Sequence, residues 1–328
     1  MTIPYISSEE ALSQVSIIDS IQIMKELFKE HTQSQFDSSR HISPTKNPEG
    51  LTLFMPAAHE QNQFLGIKIS SIRPHNTDLP MVNGVYILID YVTGQPKALI
   101  DSNCITKLRT AAVTAVVTQA CLDQTCSYDL GLVGAGAQAL AHAEALCKSL
   151  EIKTLHVFSR RQSQAIAFAN TLRETPWAPS VIKVHRNLTD LLDQASVLTT
   201  CTSTDETAPL IKEENLPTTI QHINAIGGRT IQAMEIDPKI YSKADVIVES
   251  ITEACNDSGE LKKAIELGQL SPSKIQKISD FLRIPQRSHS LSIYRSVGLA
   301  IEDLFLAEKI FSTILQGGSH ERIKKSQP

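Results

Sequence analysis

Apolar positions in the first part of the chain recur first at helical and then at strand spacing. Ile17, Ile18, Ile21, Met24, Leu27 and Phe28 follow the period of one amphipathic helix. Ser7, three residues before Glu10, forms a capping-box pair upstream of it. The polar stretch 38–50 reads as a loop, and β-rich runs follow at Leu51–Met55, Phe64–Ser70, Gly84–Asp90 and Pro96–Ile100. Thr93-Gly94 between the last two is a turn signal, which predicts a hairpin. Asp101 or Ser102 then caps a helix with Ile105, Leu108, Ala112, Ala115 and Leu122 on one face.

Near Tyr128 the rhythm changes. From there to about Ile284, short apolar strands alternate with helical segments: Leu130–Val133, Thr154–Phe158, Val181–Val184, Val197–Thr200, His222–Ile226 and Val246–Glu249. Such alternation predicts a parallel sheet wound with helices on both faces. Val297–Leu315 is an amphipathic helix beyond this region and is expected to fold back onto the first domain.

Composition narrows the function classes. A length of 328 residues suggests two domains. With 31 basic and 35 acidic residues the net charge is −4, which gives no field for a nucleic-acid backbone. No apolar leader core or membrane-length apolar run is visible, so a cytoplasmic protein without membrane contact is expected. Six scattered cysteines form no C-x-x-C and are expected as small buried thiols. The histidines show no metal-binding spacing, so no metal is expected.

The first chemical motif is the glycine loop. Asp129-Leu-Gly-Leu-Val-Gly134-Ala-Gly136-Ala-Gln-Ala139 runs from a strand through G-x-G-x-x-A into a helix, within a βαβ unit that ends at Phe158. In that context Gly134 allows the tight turn, Gly136 lets backbone N–H groups approach a pyrophosphate, and the helix N-terminus faces its charge. A dinucleotide cofactor is predicted. The second strand ends in Ser159-Arg160-Arg161, without the carboxylate that would bind a ribose 2′-hydroxyl. A guanidinium grips a 2′-phosphate, so NADPH is favoured and NADH stays open; Arg161 also reads as plain solvated surface. In the first domain Arg40, Lys68 and Arg109 stand at odd places for structure alone, and together suggest a cradle for a carboxylate substrate.

Six ordered blocks carry a family resemblance. They are Gly66-Ile-Lys68, Asp90-Tyr-Val-Thr-Gly94-Gln-Pro, Ile105-Thr-Lys-Leu-Arg109-Thr-Ala-Ala112, Gly131-Leu-Val-Gly-Ala-Gly136, His222-Ile-Asn224-Ala-Ile-Gly227 and Ser296-Val-Gly-Leu-Ala-Ile-Glu-Asp303. Over nearly its full length the chain resembles the ornithine cyclodeaminase/μ-crystallin family. The resemblance implies an α/β fold: a doubly wound Rossmann domain at 123–296, and an α+β substrate-binding and dimerisation domain at 1–122 completed by a returning helix at 297–328. It implies a homodimer, and that Arg40, Lys68 and Arg109 bind the substrate carboxylate. The cofactor contacts expected on this basis are Thr110, Gly134, Gly136, Ala137, Gln138, Ser159, Arg160, Arg161, Thr202, Ala225 and Gly298.

Two departures bear on the reaction. The cyclodeaminase branch carries a glutamate where this chain has Leu53, and an aspartate where it has Arg229. Without those carboxylates a doubly cationic diamino acid is a poor substrate, whereas a cyclic imine with one carboxylate needs neither. The resemblance therefore implies an NAD(P)H-dependent reductase of cyclic ketimine carboxylates. Δ1-Pyrroline-2-carboxylate, giving L-proline, leads, followed by Δ1-piperideine-2-carboxylate, giving L-pipecolate. Lys68 is the candidate catalytic residue, with the proton coming from it or from solvent. A cyclodeaminase-type lyase, an alanine dehydrogenase-like enzyme and a non-enzymatic binding protein are the competing readings.

Overall fold

A computed structural model describes residues 3–30, 40–46, 49–204, 206–228, 232–285 and 287–324. The chain divides into two units, one of Met1–Leu27, Gln33–Arg109 and Leu299–Pro328, the other of Phe28–Thr32 and Thr110–Gly298. The first boundary lies earlier than the 122 expected from the sequence.

The first unit opens with β1 (Tyr5–Ile6), α1 (Ser8–Gln14) and α2 (Ile17–Glu30). Two helices stand where the periodicity predicts one, because each has its own cap. Ser7 Oγ accepts the Glu10 N–H at 3.2 Å and starts α1. Ser16 and Asp19 satisfy each other's backbone N–H groups and start α2. Ile17, Ile21, Met24, Leu27 and Phe28 form the buried stripe of α2, while Ile18 is exposed.

Next come β2 (His41–Lys46), β3 (Glu49–His59), β4 (Phe64–Ile72), β5 (Val82–Asp90), β6 (Pro96–Asp101) and α3 (Ser102–Cys121). The sheet order is β1-β6-β5-β4-β3-β2, antiparallel except for β1 beside β6. β2 occupies the stretch read as loop. The Thr93-Gly94 turn is as predicted: Asp90 Oδ1 accepts the Thr93 N–H at 2.8 Å, and Gly94 has φ +69°. At α3, Asp101 Oδ1 accepts the Asn103 N–H at 2.9 Å.

Register gives the two faces of this sheet different fates. Met55, Lys68, Tyr86 and Ile100 are cross-strand partners on one buried face. The opposite face presents Leu65, Ile67, Ile69, Val85, Ile87 and Ile89, all half-buried.

The second unit contains β7 (Ser127–Val133), α4 (Ala137–Ser149), β8 (Glu151–Phe158), α5 (Gln162–Arg173), β9 (Val181–Val184), α6 (Leu188–Leu192), β10 (Val197–Thr200) and β11 (His222–Ala225). It continues through β12 (Ala244–Val248), α7 (Ile251–Asp257), α8 (Gly259–Glu266), β13 (Ile275–Lys277), α9 (Ile278–Arg283) and β14 (Leu291–Arg295). All these strands pair in parallel, in the order β13-β12-β14-β11-β10-β7-β8-β9. The fold is the α/β doubly wound type predicted. β13 and β14 were not read from the sequence, although β14 is wholly buried between β12 and β11.

The chain then returns to the first unit as α10 (Ala300–Lys324), which packs on β3, β4 and β5. No helix among the described residues is long and apolar enough to cross a membrane. Cys104 and Cys121 are buried, but Cys126 is exposed, so the thiols are not uniformly core residues.

Candidate active site

The glycine loop is shaped by close approach. At the end of β7, Gly134 adopts φ +119°, and a Cβ there would lie 2.6 Å from the Cys201 carbonyl oxygen. A side chain would be strained and would push β10 away. The Gly134 N–H donates to Phe158 O at 2.9 Å, tying the loop to β8. Gly136 is the N-cap of α4 and offers no side-chain cap. Where its Cβ would stand there is nothing within 4 Å. An uncapped helix start with open space above it, at Ala137 and Gln138, fits a dinucleotide pyrophosphate.

The end of β8 separates the two arginines. Ser159 is half-buried, and Arg160 and Arg161 are exposed. Arg161 Nε donates to Gln164 Oε1 at 2.8 Å, within its own helix start. Arg160 has no recorded partner among the described residues and is the better 2′-phosphate candidate.

Thr202, Ala225 and Gly298 lie just beyond or at the carboxyl ends of β10, β11 and β14, where a doubly wound sheet binds its ligand. Each is held by a buried charged residue that sequence reasoning missed. Glu235 accepts the Thr202 N–H at 2.9 Å and its hydroxyl at 2.6 Å. Arg295 donates to Ala225 O at 3.0 Å. Glu249 accepts the Gly298 N–H at 3.0 Å. The available signal was an ionisable residue flanked by apolar ones, as in Met234-Glu235-Ile236. Thr110 is a buried residue of α3.

In the first unit, the structure joins Lys68 to Arg109 through two acids the sequence reading left without a role. Lys68 Nζ lies 2.6 Å from Asp303 Oδ2. Arg109 Nη1 lies 3.0 Å from Glu302 Oε2, and Arg109 Nε 3.3 Å from Asp303 Oδ1. Glu302 and Asp303 are 0% exposed and sit in the first turn of α10. The two cations and two anions cancel formally, so the cradle is not a bare positive pocket.

Burial pushes the Lys68 ammonium down to about 8, with Asp303 opposing that shift and Arg109 adding to it. The Tyr86 hydroxyl, cross-strand from Lys68, is buried with no hydrogen-bond partner among the described residues, and burial keeps it protonated. Arg40 immediately precedes β2 and is half-buried. Leu53, which the resemblance matches to the cyclodeaminase glutamate, lies on β3 opposite Ser70. Arg229, the other departure, lies outside the described residues.

Known proteins match most of the chain. The model of the ornithine cyclodeaminase/mu-crystallin family matches residues 6–318. A Δ1-pyrroline-2-carboxylate reductase from Bacillus cereus is 28% identical over 304 residues, covering 88% of this chain and 91% of its own. The ketimine reductase mu-crystallin of Mus musculus is 27% identical over 286 residues, 85% of each chain. Among solved structures, Thermococcus litoralis Δ1-pyrroline-2-carboxylate reductase in complex with NADH and L-proline has a TM-score of 0.89 at 25% identity. It covers 96% of this chain and 98% of that one. The glycine loop, the paired buried charges and the match from residue 6 to 318 lead to one conclusion: the chain belongs to the ornithine cyclodeaminase/mu-crystallin family.

Proposed function

We propose that this NAD(P)H-dependent oxidoreductase reduces cyclic ketimine carboxylates, converting Δ1-pyrroline-2-carboxylate to L-proline and Δ1-piperideine-2-carboxylate to L-pipecolate. The observation that carries the reading is the buried Lys68 and Arg109, joined through Asp303 and Glu302, with Leu53 at the position where the resemblance puts the cyclodeaminase glutamate. Δ1-Pyrroline-2-carboxylate reductases and a ketimine reductase among the relatives support the same chemistry. Glu302 and Asp303 do not substitute for the lost glutamate, because both are already matched by cations.

Arg40, Lys68 and Arg109 bind the substrate carboxylate and orient the ring, an effect that contributes up to roughly 7–11 kcal/mol to a barrier. When bound, the reduced nicotinamide supplies the hydride that reaches C2 of the imine. The imine nitrogen takes a proton, so C=N becomes CH–NH. Lys68, poised near neutrality and held by Asp303, is the group that delivers it. Leu53 and Met55 on the same sheet face keep the site apolar.

NADPH is the preferred cofactor, read through Arg160. The active protein is a homodimer, joined by the half-buried apolar face of the six-stranded sheet. The test follows NADPH oxidation against a panel of cyclic imines and 2-oxo acids with amines, beside an ammonia assay on L-ornithine. Imine-dependent oxidation without ammonia release is expected. Stoichiometric ammonia with no oxidation on any imine would overturn the reading in favour of a lyase.

A further inference from the structure

Buried charge beneath a ligand-binding edge needs a reason, since a carboxylate taken out of water costs several kcal/mol unless it is fully matched. Glu235 is 1% exposed. It gathers four donors from the end of β10 and two loops: Thr200 Oγ1 at 2.6 Å, Thr202 N at 2.9 Å, Thr202 Oγ1 at 2.6 Å and Gly227 N at 2.7 Å. Those loops leave the carboxyl ends of β10 and β11. Arg295, 4.0 Å from Glu235, donates from the same side to Ala225 O and Gly227 O at 3.0 and 2.9 Å. Glu260 steadies the segment that carries Glu235, accepting the backbone N–H groups of Glu235 and Ile236 at 2.8 and 2.9 Å.

The donors Glu235 collects are unusual for a purely structural acid. Two are backbone N–H groups at the tips of adjacent strands, and two are hydroxyls of the residues that flank one tip. The two tips are already tied by backbone bonds, Ile226 N–H to Thr200 O at 3.0 Å and Gly228 N–H to Thr202 O at 3.1 Å, which leave the Thr202 N–H and the Thr200 and Thr202 hydroxyls to the carboxylate. Joined by one carboxylate, they take a single geometry before any ligand arrives. A preformed surface of this kind raises affinity by removing the ordering cost from the binding step.

We propose that Glu235 is a positioning residue for the nicotinamide cofactor, fixing the Thr202 and Gly227 backbone so that the ends of β10 and β11 form one preorganised contact surface. The inference rests on the cofactor contacts proposed at Thr202 and Ala225. Burial raises the Glu235 carboxyl above its ordinary value, and the matched donors and Arg295 oppose that rise.

The experiment measures NADPH affinity by calorimetry, melting temperature, and KM for cofactor and imine separately. It compares wild type with Glu235→Gln, Thr200→Val and Leu191→Ala. The last removes a fully buried α6 side chain outside this network and serves as the structural reference. Glu235→Gln keeps the volume but turns an amide N–H group against other donors. The NADPH Kd is expected to rise at least tenfold, with KM for the imine changed less than threefold. Thr200→Val removes one donor at constant shape and should raise Kd about threefold to tenfold. Leu191→Ala should lower the melting temperature while leaving Kd within twofold.

A wild-type Kd in Glu235→Gln at a lowered melting temperature would overturn the proposal. If that variant does not fold, an unchanged Kd in Thr200→Val overturns it instead. A wild-type protein that binds neither NADPH nor NADH would refute the cofactor reading itself, a distinct outcome.

Discussion

Lys68 illustrates what a single residue costs and does. A lysine on the covered face of a strand is tolerated because Asp303 stands 2.6 Å from its ammonium. Lys68→Met leaves that carboxylate buried with part of its compensation gone, and should destabilise the protein by about 3–5 kcal/mol. Adding Asp303→Asn should recover most of this stability without recovering imine reduction. Urea unfolding beside steady-state kinetics checks both halves. The proton gives a second outcome at the same residue. Because burial places the Lys68 value at about 8, the ammonium is present below that pH and lost above it. The kcat/KM for imine reduction is therefore expected to be level below about pH 8 and to fall up to tenfold per unit beyond it. That falling limb should be absent from the residual activity of Lys68→Met. The cations of this cluster were legible in the sequence because Lys68 breaks an apolar run and Arg109 opens a helix of small residues. Their acidic partners were not. Glu302 and Asp303 read as ordinary first-turn acids of a helix, and 193 residues separate Glu302 from Arg109.

At the scale of elements, periodicity worked where an element had two contrasting faces. It recovered β4, β5 and β9 and the buried stripe of α2, whereas β10, buried throughout, was legible only as a short apolar run between helical segments. It failed for β2, an edge strand whose His41-Ile-Ser-Pro-Thr-Lys46 sequence alternates weakly and carries a proline tolerated only at an edge. It failed also for β14, where five buried residues follow a polar run and leave no alternation to detect. The turn after β8 offers chemistry rather than pattern, through the missing carboxylate at Ser159-Arg160-Arg161, and the cofactor preference read from it is a proposal. Its test is Ser159→Asp with Arg160→Ala, which removes a 2′-phosphate donor and adds a 2′-hydroxyl acceptor. Losing one charge-assisted contact costs about 1.5–3 kcal/mol, so the kcat/KM ratio of NADPH to NADH should fall roughly 10- to 150-fold. An unchanged ratio would mean that this turn does not read the ribose. Arg161→Ala should alter the ratio little, since its guanidinium is held by Gln164.

For the whole molecule, the six-stranded sheet has one face covered by α10 and another lined by Leu65, Ile67, Ile69, Val85, Ile87 and Ile89. This apolar face is where the proposed homodimer would join. Ile67→Asp places a charge at its centre, opposite Ile87, and should convert a dimer to monomer in sedimentation velocity. A variant that sediments as the wild-type dimer would place the interface elsewhere. The return of α10 to a sheet completed some two hundred residues earlier also has a consequence for synthesis. On the ribosome Lys68 and Arg109 emerge long before Glu302 and Asp303, so the β-sheet of the first unit cannot close over its cations until Asp303 has emerged. The second unit, contiguous from Thr110 to Gly298, has all its strands available first. The order of emergence thus makes α10 the latch of the first unit, and a nascent chain stalled before Asp303 would hold a finished parallel-sheet unit and an unclosed six-stranded sheet.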